Sequence, residues 1–188
     1  MARWETGTRE RLQAAALDLF AAHGFDRTTV AEIAASAGLT ERTFFRHFAD
    51  KREVLFNGQD LFEQAFLSGL DTATSSDPMT LVRATLSGAA AFFPDERRSW
   101  SRIRQAVIAG HPSLQERELL KLSALALTLT AALRDHGLDG TTSALAAESA
   151  VTVFRTTFAA WIEAGETRSF ADLQDAVLAQ LHRLVAPA

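Results

Sequence analysis

Between Thr28 and Phe48 two apolar stripes of helical period stand on either side of a three-residue break, Ala37-Gly38-Leu39. Val30, Ile33, Ala34 and Ala37 recur at the spacing of one helix face. Thr29, with Glu32 three residues on, has the pairing of a capping box. After Gly38 ends this helix, Thr40 is placed to cap another that runs to about Phe48. Ala34 is small enough to let the two helices approach, and Gly38 supplies the backbone freedom of a tight turn. Such a segment folds into two short crossed helices over a small core of Ile33, Leu39, Phe44 and Phe48.

The helical period holds along the rest of the chain, and β-branched alternation is scarce, so the expected fold class is all-α. A first helix over about Thr8 to Ala22 ends at Gly24. Asp50, with Glu53 three residues on, starts a fourth helix predicted from Lys51 to about Leu70. Further helices are predicted over 79–93, 95–109, 113–136, 141–164 and 169–185, punctuated by Pro94, Gly110-His111-Pro112, Gly137, Gly140 and Gly165. That makes about nine helices. The expected organisation is a three-helix helix-turn-helix domain over 1–50 joined to a larger helical ligand-binding and dimerisation domain over 51–188.

Composition excludes several functions. A chain of 188 residues with 47% apolar types can bury a core without a disulfide or metal staple. With no cysteine, thiolate catalysis and Cys-ligated metals are impossible. The five histidines are scattered, and no His-Glu-x-x-His, P-loop or dinucleotide fingerprint occurs, so neither an enzyme nor a bound cofactor or metal is expected. No run approaches the roughly 18 apolar residues of a membrane span, and Met1 to Glu5 lead into a charged helix and not a signal core. A soluble cytoplasmic protein without membrane partners is the expectation.

A helix-turn-helix offers its second helix to the DNA major groove, where base edges are distinguishable. Arg42, Thr43 and Arg46 share the face opposite Phe44 and Phe48, and arginine can donate two bonds to guanine. Thr29, Thr40 and the free amides at their helix starts, with Arg27, His47 and Lys51, are the candidates for phosphate. Phe45 would pack on sugar, having no hydroxyl to donate. Up to Leu55 there are eight basic and eight acidic residues, and the whole chain carries a net charge of -4. The strongly basic footprint of a DNA-binding domain is therefore missing. That leaves open an alternative, a helical interaction protein that keeps the helix-turn-helix shape without DNA binding.

From Arg9 to Leu55 the chain is similar to the amino-terminal domain of the TetR family of bacterial transcriptional regulators. The similarity rests on Gly24-Phe25, Thr29-Val30, Ile33-Ala34, Ala37-Gly38, Leu39, Thr43-Phe44-Phe45-Arg46-His47-Phe48, Lys51 and Leu55. The family most often has paired tyrosines before the histidine, where this chain has Phe45 and Arg46. The resemblance implies a homodimer that represses, less often activates, transcription from a double-stranded DNA operator. It further implies a small ligand in the carboxy-terminal domain that releases the DNA by re-spacing the two readers.

The chain has thirteen phenylalanines and no tyrosine. Phe62, Phe66, Phe92, Phe154 and Phe158, with Trp100, Leu122 and Leu125, either simply fill a helical core or together line an apolar cavity suited to a hydrophobic effector. The basic run Arg97, Arg98, Arg102 and Arg104 reads first as a solvated helix face, the alternative being a mouth that holds the phosphate or carboxylate of an amphipathic effector. Arg104, Val107-Ile108, Pro112, Leu114-Gln115-Glu116-Arg117 and Leu122 also resemble the regulatory domain of TetR-type proteins related to the mycofactocin regulator. That resemblance implies an acyl-CoA-like anion as effector. Val151, Phe158 and Ile162, then Leu173, Val177 and Leu181, form apolar stripes that suggest a four-helix dimer interface. The family places its seam on the same final helices, while ordinary intrachain core is the alternative.

Overall fold

The computed structural model describes residues 6–185. Among the described residues every regular element is helical: α1 (Thr6–His23), α2 (Val30–Ser36), α3 (Glu41–His47), α4 (Gln59–Ser68), α5 (Pro78–Ala90), α6 (Arg98–Ala109), α7 (Pro112–Asp135), α8 (Gly140–Trp161) and α9 (Phe170–Val185), with 3-10 turns at Glu53–Phe56 and Asp95–Arg97. The chain forms two compact units, one of Met1–Gly58 with Ile103–Glu118, the other of Gln59–Arg102 with Leu119–Ala188. The amino-terminal unit thus reaches past residue 50 and takes in the end of α6 and the start of α7. None of the described helices is long and apolar enough to cross a membrane.

The helix expected over 51–70 is broken. Asp50 does cap a turn, its carboxylate accepting the amides of Arg52 and Glu53 at 2.7 and 3.1 Å. That turn closes as a 3-10 helix, and the chain then passes through Gly58 at φ +81° before α4 begins. A side chain rarely adopts that backbone conformation, so glycine punctuates the helix there.

In the amino-terminal unit α1 buries Leu12, Ala16 and Phe20, and the 3-10 turn adds Val54, Leu55 and Phe56. The carboxy-terminal unit is built on α4, α5, α7, α8 and α9 around Phe66, Leu81, Leu86, Leu125, Leu129 and Trp161. Local chemistry sets its helix starts. Asp77 accepts the Thr80 amide at 2.8 Å with Pro78 in the first turn of α5, and Asp139 accepts the amides of Thr141 and Thr142 at the start of α8. Beyond the end of α8, Arg102 donates to the carbonyls of Ile162 (2.6 Å) and Glu163 (3.0 Å), and Arg98 to those of Glu166 and Arg168.

Helices α4 and α5 approach until backbone meets backbone. A Cβ at Gly88 would lie 2.1 Å from the Ala65 carbonyl oxygen, and one at Gly69 1.9 Å from that of Ala84. Gly88→Ala must push the helices apart, an overpacking cost of about 1–3 kcal/mol. Its melting temperature should fall by roughly 3–10 °C at this chain length, which a thermal melt by circular dichroism will measure.

Glu166, in the turn between α8 and α9, accepts from the Arg168 guanidinium at 3.0 and 2.5 Å and from the amides of Thr167 and Arg168 at 2.9 Å. These bonds, the guanidinium's first, bring its pKa from the ordinary 4.5 down to about 2. A depressed carboxylate stabilises the fold fully above its unfolded value and loses that contribution as the pH falls through the folded one. Between pH 4.5 and 2 the parent should therefore lose more stability than Glu166→Gln, as acid titration of the melting temperature will show.

Candidate nucleic-acid interface

Helix α2 starts on a complete capping box. The Thr29 hydroxyl accepts the Glu32 amide at 3.2 Å, while the Glu32 carboxylate accepts the Thr29 amide at 2.7 Å and its hydroxyl at 2.9 Å. The helix ends on Gly38 at φ +67°, where the Leu39 amide donates to the Ala34 carbonyl (2.8 Å) and the Gly38 amide to that of Ala35 (2.9 Å). This pair of bonds is the Schellman termination. The Arg11 guanidinium donates to the Ala37 carbonyl and ties the same turn to α1. Thr40 then caps α3 through the Thr43 amide at 3.3 Å.

Within α3 the two faces divide sharply. Phe44 and Phe48 turn inward, fully or almost fully buried, with ring centroids 5.2 Å apart. Arg42, Phe45 and Arg46 turn to solvent, the Phe45 ring 54% exposed. Neither Arg42 nor Arg46 has an ion-pair partner among the described residues. Thr40 is exposed, Thr43 and His47 are half-buried, and the hydroxyls of Thr40 and Thr43 lie 3.1 Å apart.

Three of the phosphate candidates are engaged elsewhere. Thr29 has its amide and hydroxyl on Glu32, so a carboxylate of the chain already fills the α2 start and would repel an incoming phosphate. The pKa of Glu32 is lowered chiefly by those two bonds. Lys51 donates to the carbonyls of Phe25 (2.7 Å) and Thr28 (2.8 Å) and sits 4.3 Å from the centre of the Phe25 ring. It is a brace of the α1–α2 turn. Arg27, though exposed, donates from Nε to the His23 carbonyl at 2.7 Å.

Sequence reasoning missed the groups that hold this unit together around the reader. His111 donates from Nε2 to Asp26 at 2.8 Å, has Nδ1 3.0 Å from the Ser113 hydroxyl and meets the Phe25 ring edge-on. Arg104, expected at a ligand mouth, lies in this unit instead. It donates to the Leu55 carbonyl (2.8 Å) and to Glu118 (3.0 Å), and Arg117 donates to Glu53 at 2.8 Å. Burial pushes the Arg104 pKa down, and Glu118 opposes that shift. The only sequence signal for this pair was two opposite charges on neighbouring helices, which is too common to read.

In the carboxy-terminal unit Phe62, Phe66, Phe92, Phe154 and Phe158 do come together, joined by Phe93, Trp161 and Phe170. Leu125 is fully buried in the same core and Leu122 packs at its edge, while half-buried Trp100 is not part of it. Val151 and Leu173, expected at a dimer seam, are buried inside their own chain, because both face the packed side of α8 and α9. Phe158, Ile162, Val177 and Leu181 are only partly buried.

An all-helical protein whose amino-terminal helix-turn-helix holds two arginines outward on its second helix is thus on view. Residues 12–57 match the family described as bacterial regulatory proteins, tetR family. The HTH-type transcriptional regulator TcmR of Streptomyces glaucescens is 41% identical over 70 residues, 37% of this chain and 31% of that protein. The mycofactocin biosynthesis transcriptional regulator MftR of Mycobacterium tuberculosis is 34% identical over 116 residues, 60% of this chain and 57% of that protein. The matched stretches thus span less than two thirds of these relatives. A TetR-family regulator from Syntrophomonas wolfei shares the fold at a TM-score of 0.70 and 16% identity, over 97% of each chain. The FadR repressor of Thermus thermophilus, solved with lauroyl-CoA, shares it at 0.57 and 20% over 96% of each.

Removing one partner of a largely buried ion pair strands the other. Glu118→Gln should therefore lower stability by about 2 kcal/mol, where an exposed pair would give under about 1. Urea unfolding will distinguish the two.

Proposed function

We propose that this protein is a homodimeric, sequence-specific DNA-binding transcriptional regulator, a repressor released from a palindromic operator by a small apolar or amphipathic effector. The observation that carries the reading is the two-faced α3: Phe44 and Phe48 anchor it, while Arg42 and Arg46 stand exposed without ion-pair partners. Two such helices on a dimer would enter successive major grooves, with Arg42, Thr43 and Arg46 toward base edges and Thr40, Phe45 and His47 toward the backbone. Lys51 and Thr29 serve the fold of the reader. The near balance of charge then predicts weak general affinity, with specificity resting on few contacts.

The carboxy-terminal unit is the place for effector and partner copy. FadR of T. thermophilus carries its lauroyl-CoA on the same fold, which supports an effector here. With Val151 and Leu173 facing inward, the dimer seam would use the outward Thr152, Thr156 and Ala159 of α8 with Ala176 and Ala179 of α9. Small side chains there allow close helix approach, and the partly buried Phe158, Ile162, Val177 and Leu181 would flank them. Such a regulator works in the cytoplasm.

The test is selection of a random duplex library on the purified protein, with the winner titrated at two salt concentrations. An enriched inverted repeat bound by dimers is expected. Arg42→Ala and Arg46→Ala should each weaken binding by about tenfold or more, the worth of a good base contact being roughly 1–3 kcal/mol, with melting temperature unchanged. A folded protein that enriches no duplex, or a double variant that binds as well as the parent, would leave the interaction-protein reading in its place.

A further inference from the structure

The core of the carboxy-terminal unit is rich in aromatic rings. Phe93 stands at its hub, with Phe92, Phe154, Phe158, Trp161 and Phe170 at centroid distances between 4.7 and 5.8 Å. Most of these pairs meet edge to face, the arrangement in which ring quadrupoles attract. Phe92 and Phe158 are only partly buried. Against it, on the same face of α8 and one turn apart, stand Thr157 and Trp161, both fully buried. The Thr157 hydroxyl and the Trp161 indole N–H have no hydrogen-bond partner. Buried polar groups are almost always paired, so two adjacent orphans beside an aromatic surface call for a partner from outside.

The chemistry of that partner follows from the donors. An indole N–H can only donate, so the partner must bring an acceptor oxygen. Among the described residues no charged side chain is fully buried. The arginines around it are turned to carbonyls: Arg97 to Phe92, Arg98 to Glu166 and Arg168, and Arg102 to Ile162 and Glu163. An anion would have to displace those carbonyl bonds to reach their N–H groups. Resting on the reading of this unit as an effector domain, we propose that its aromatic core receives a neutral, ring-bearing molecule whose carbonyl oxygen accepts from Trp161 Nε1 and the Thr157 hydroxyl. The rings supply area and edge-to-face contact, and the two donors fix orientation.

Two experiments test this. Thr157→Val keeps the shape and removes the orphan hydroxyl. The ligand-free variant should melt about 2–4 °C above the parent, whereas a lower melting temperature would mean that a resident water already serves the group and would overturn the proposal. The second is calorimetric titration with xanthone, a neutral tricyclic ketone, and with xanthene, in which a methylene replaces the carbonyl. Xanthone should bind the parent about tenfold more tightly than xanthene, and Trp161→Phe should erase that difference. Lauroyl-CoA should not displace xanthone. Equal binding of the two tricycles, no binding of xanthone, or displacement by lauroyl-CoA overturns the assignment. The effector reading is tested separately on the selected duplex. Release by lauroyl-CoA but not by xanthone would sink this inference and leave an effector domain, while xanthone binding at Trp161 without any change in duplex affinity would keep the site and remove the effector reading.

Discussion

A buried or turn carbonyl outside a helix ladder needs a donor from elsewhere, and in this chain cationic side chains supply several of them from a distance in sequence. Arg11 reaches the Ala37 carbonyl across 26 residues, and Lys51 those of Phe25 and Thr28. Arg98 and Arg102 do the same for the carbonyls that follow α8, while Arg104 serves Leu55. Each of these bonds carries a formal charge on its donor, which makes it stronger than a neutral one. They also help fix where each turn lies, and around the reader that task falls to Arg11 and Lys51.

This is why so much of the fold was legible in the sequence and so little of its bracing. Helix starts at Thr29, Thr40 and Asp50, and the break at Gly38, follow from side chains that act within three or four residues. The same holds for the inward Phe44 and Phe48. The misplaced helix over 51–70 failed for a local reason too: Gly58 follows Asn57, a pair that signals a turn, and apolar periodicity on both sides outweighed it. Arg104 with Glu118, Lys51 with the α1–α2 turn and His111 with Asp26 could not be read at all, because each depends on which elements meet.

The candidate site shows the same division. Residues facing outward on a periodic helix are identifiable by subtraction from the core, and Arg42, Arg46 and Phe45 stand where that subtraction puts them. Lys51 and Thr29 resemble them in type but are consumed by the fold, since a cation near a carbonyl and a threonine near a glutamate find closer partners than any ligand. In the carboxy-terminal unit the phenylalanines pack into one hydrophobic core, and stripes on α8 and α9 face that core at Val151 and Leu173. A stripe in a sequence gives the angular width of an apolar face and does not tell which neighbour covers it.

The exposed ring of Phe45 has a thermodynamic meaning of its own. In the free protein it is apolar surface held in water beside two arginines on α3. Whatever covers it gains a contribution that ions do not screen and that carries a negative heat-capacity change. Where a tyrosine hydroxyl would have added one more polar bond, phenylalanine shifts part of the association to a temperature-dependent, salt-independent term. The complex formed at this face should therefore keep a fraction of its affinity when salt is raised, and tighten or loosen with temperature along a curve rather than a line.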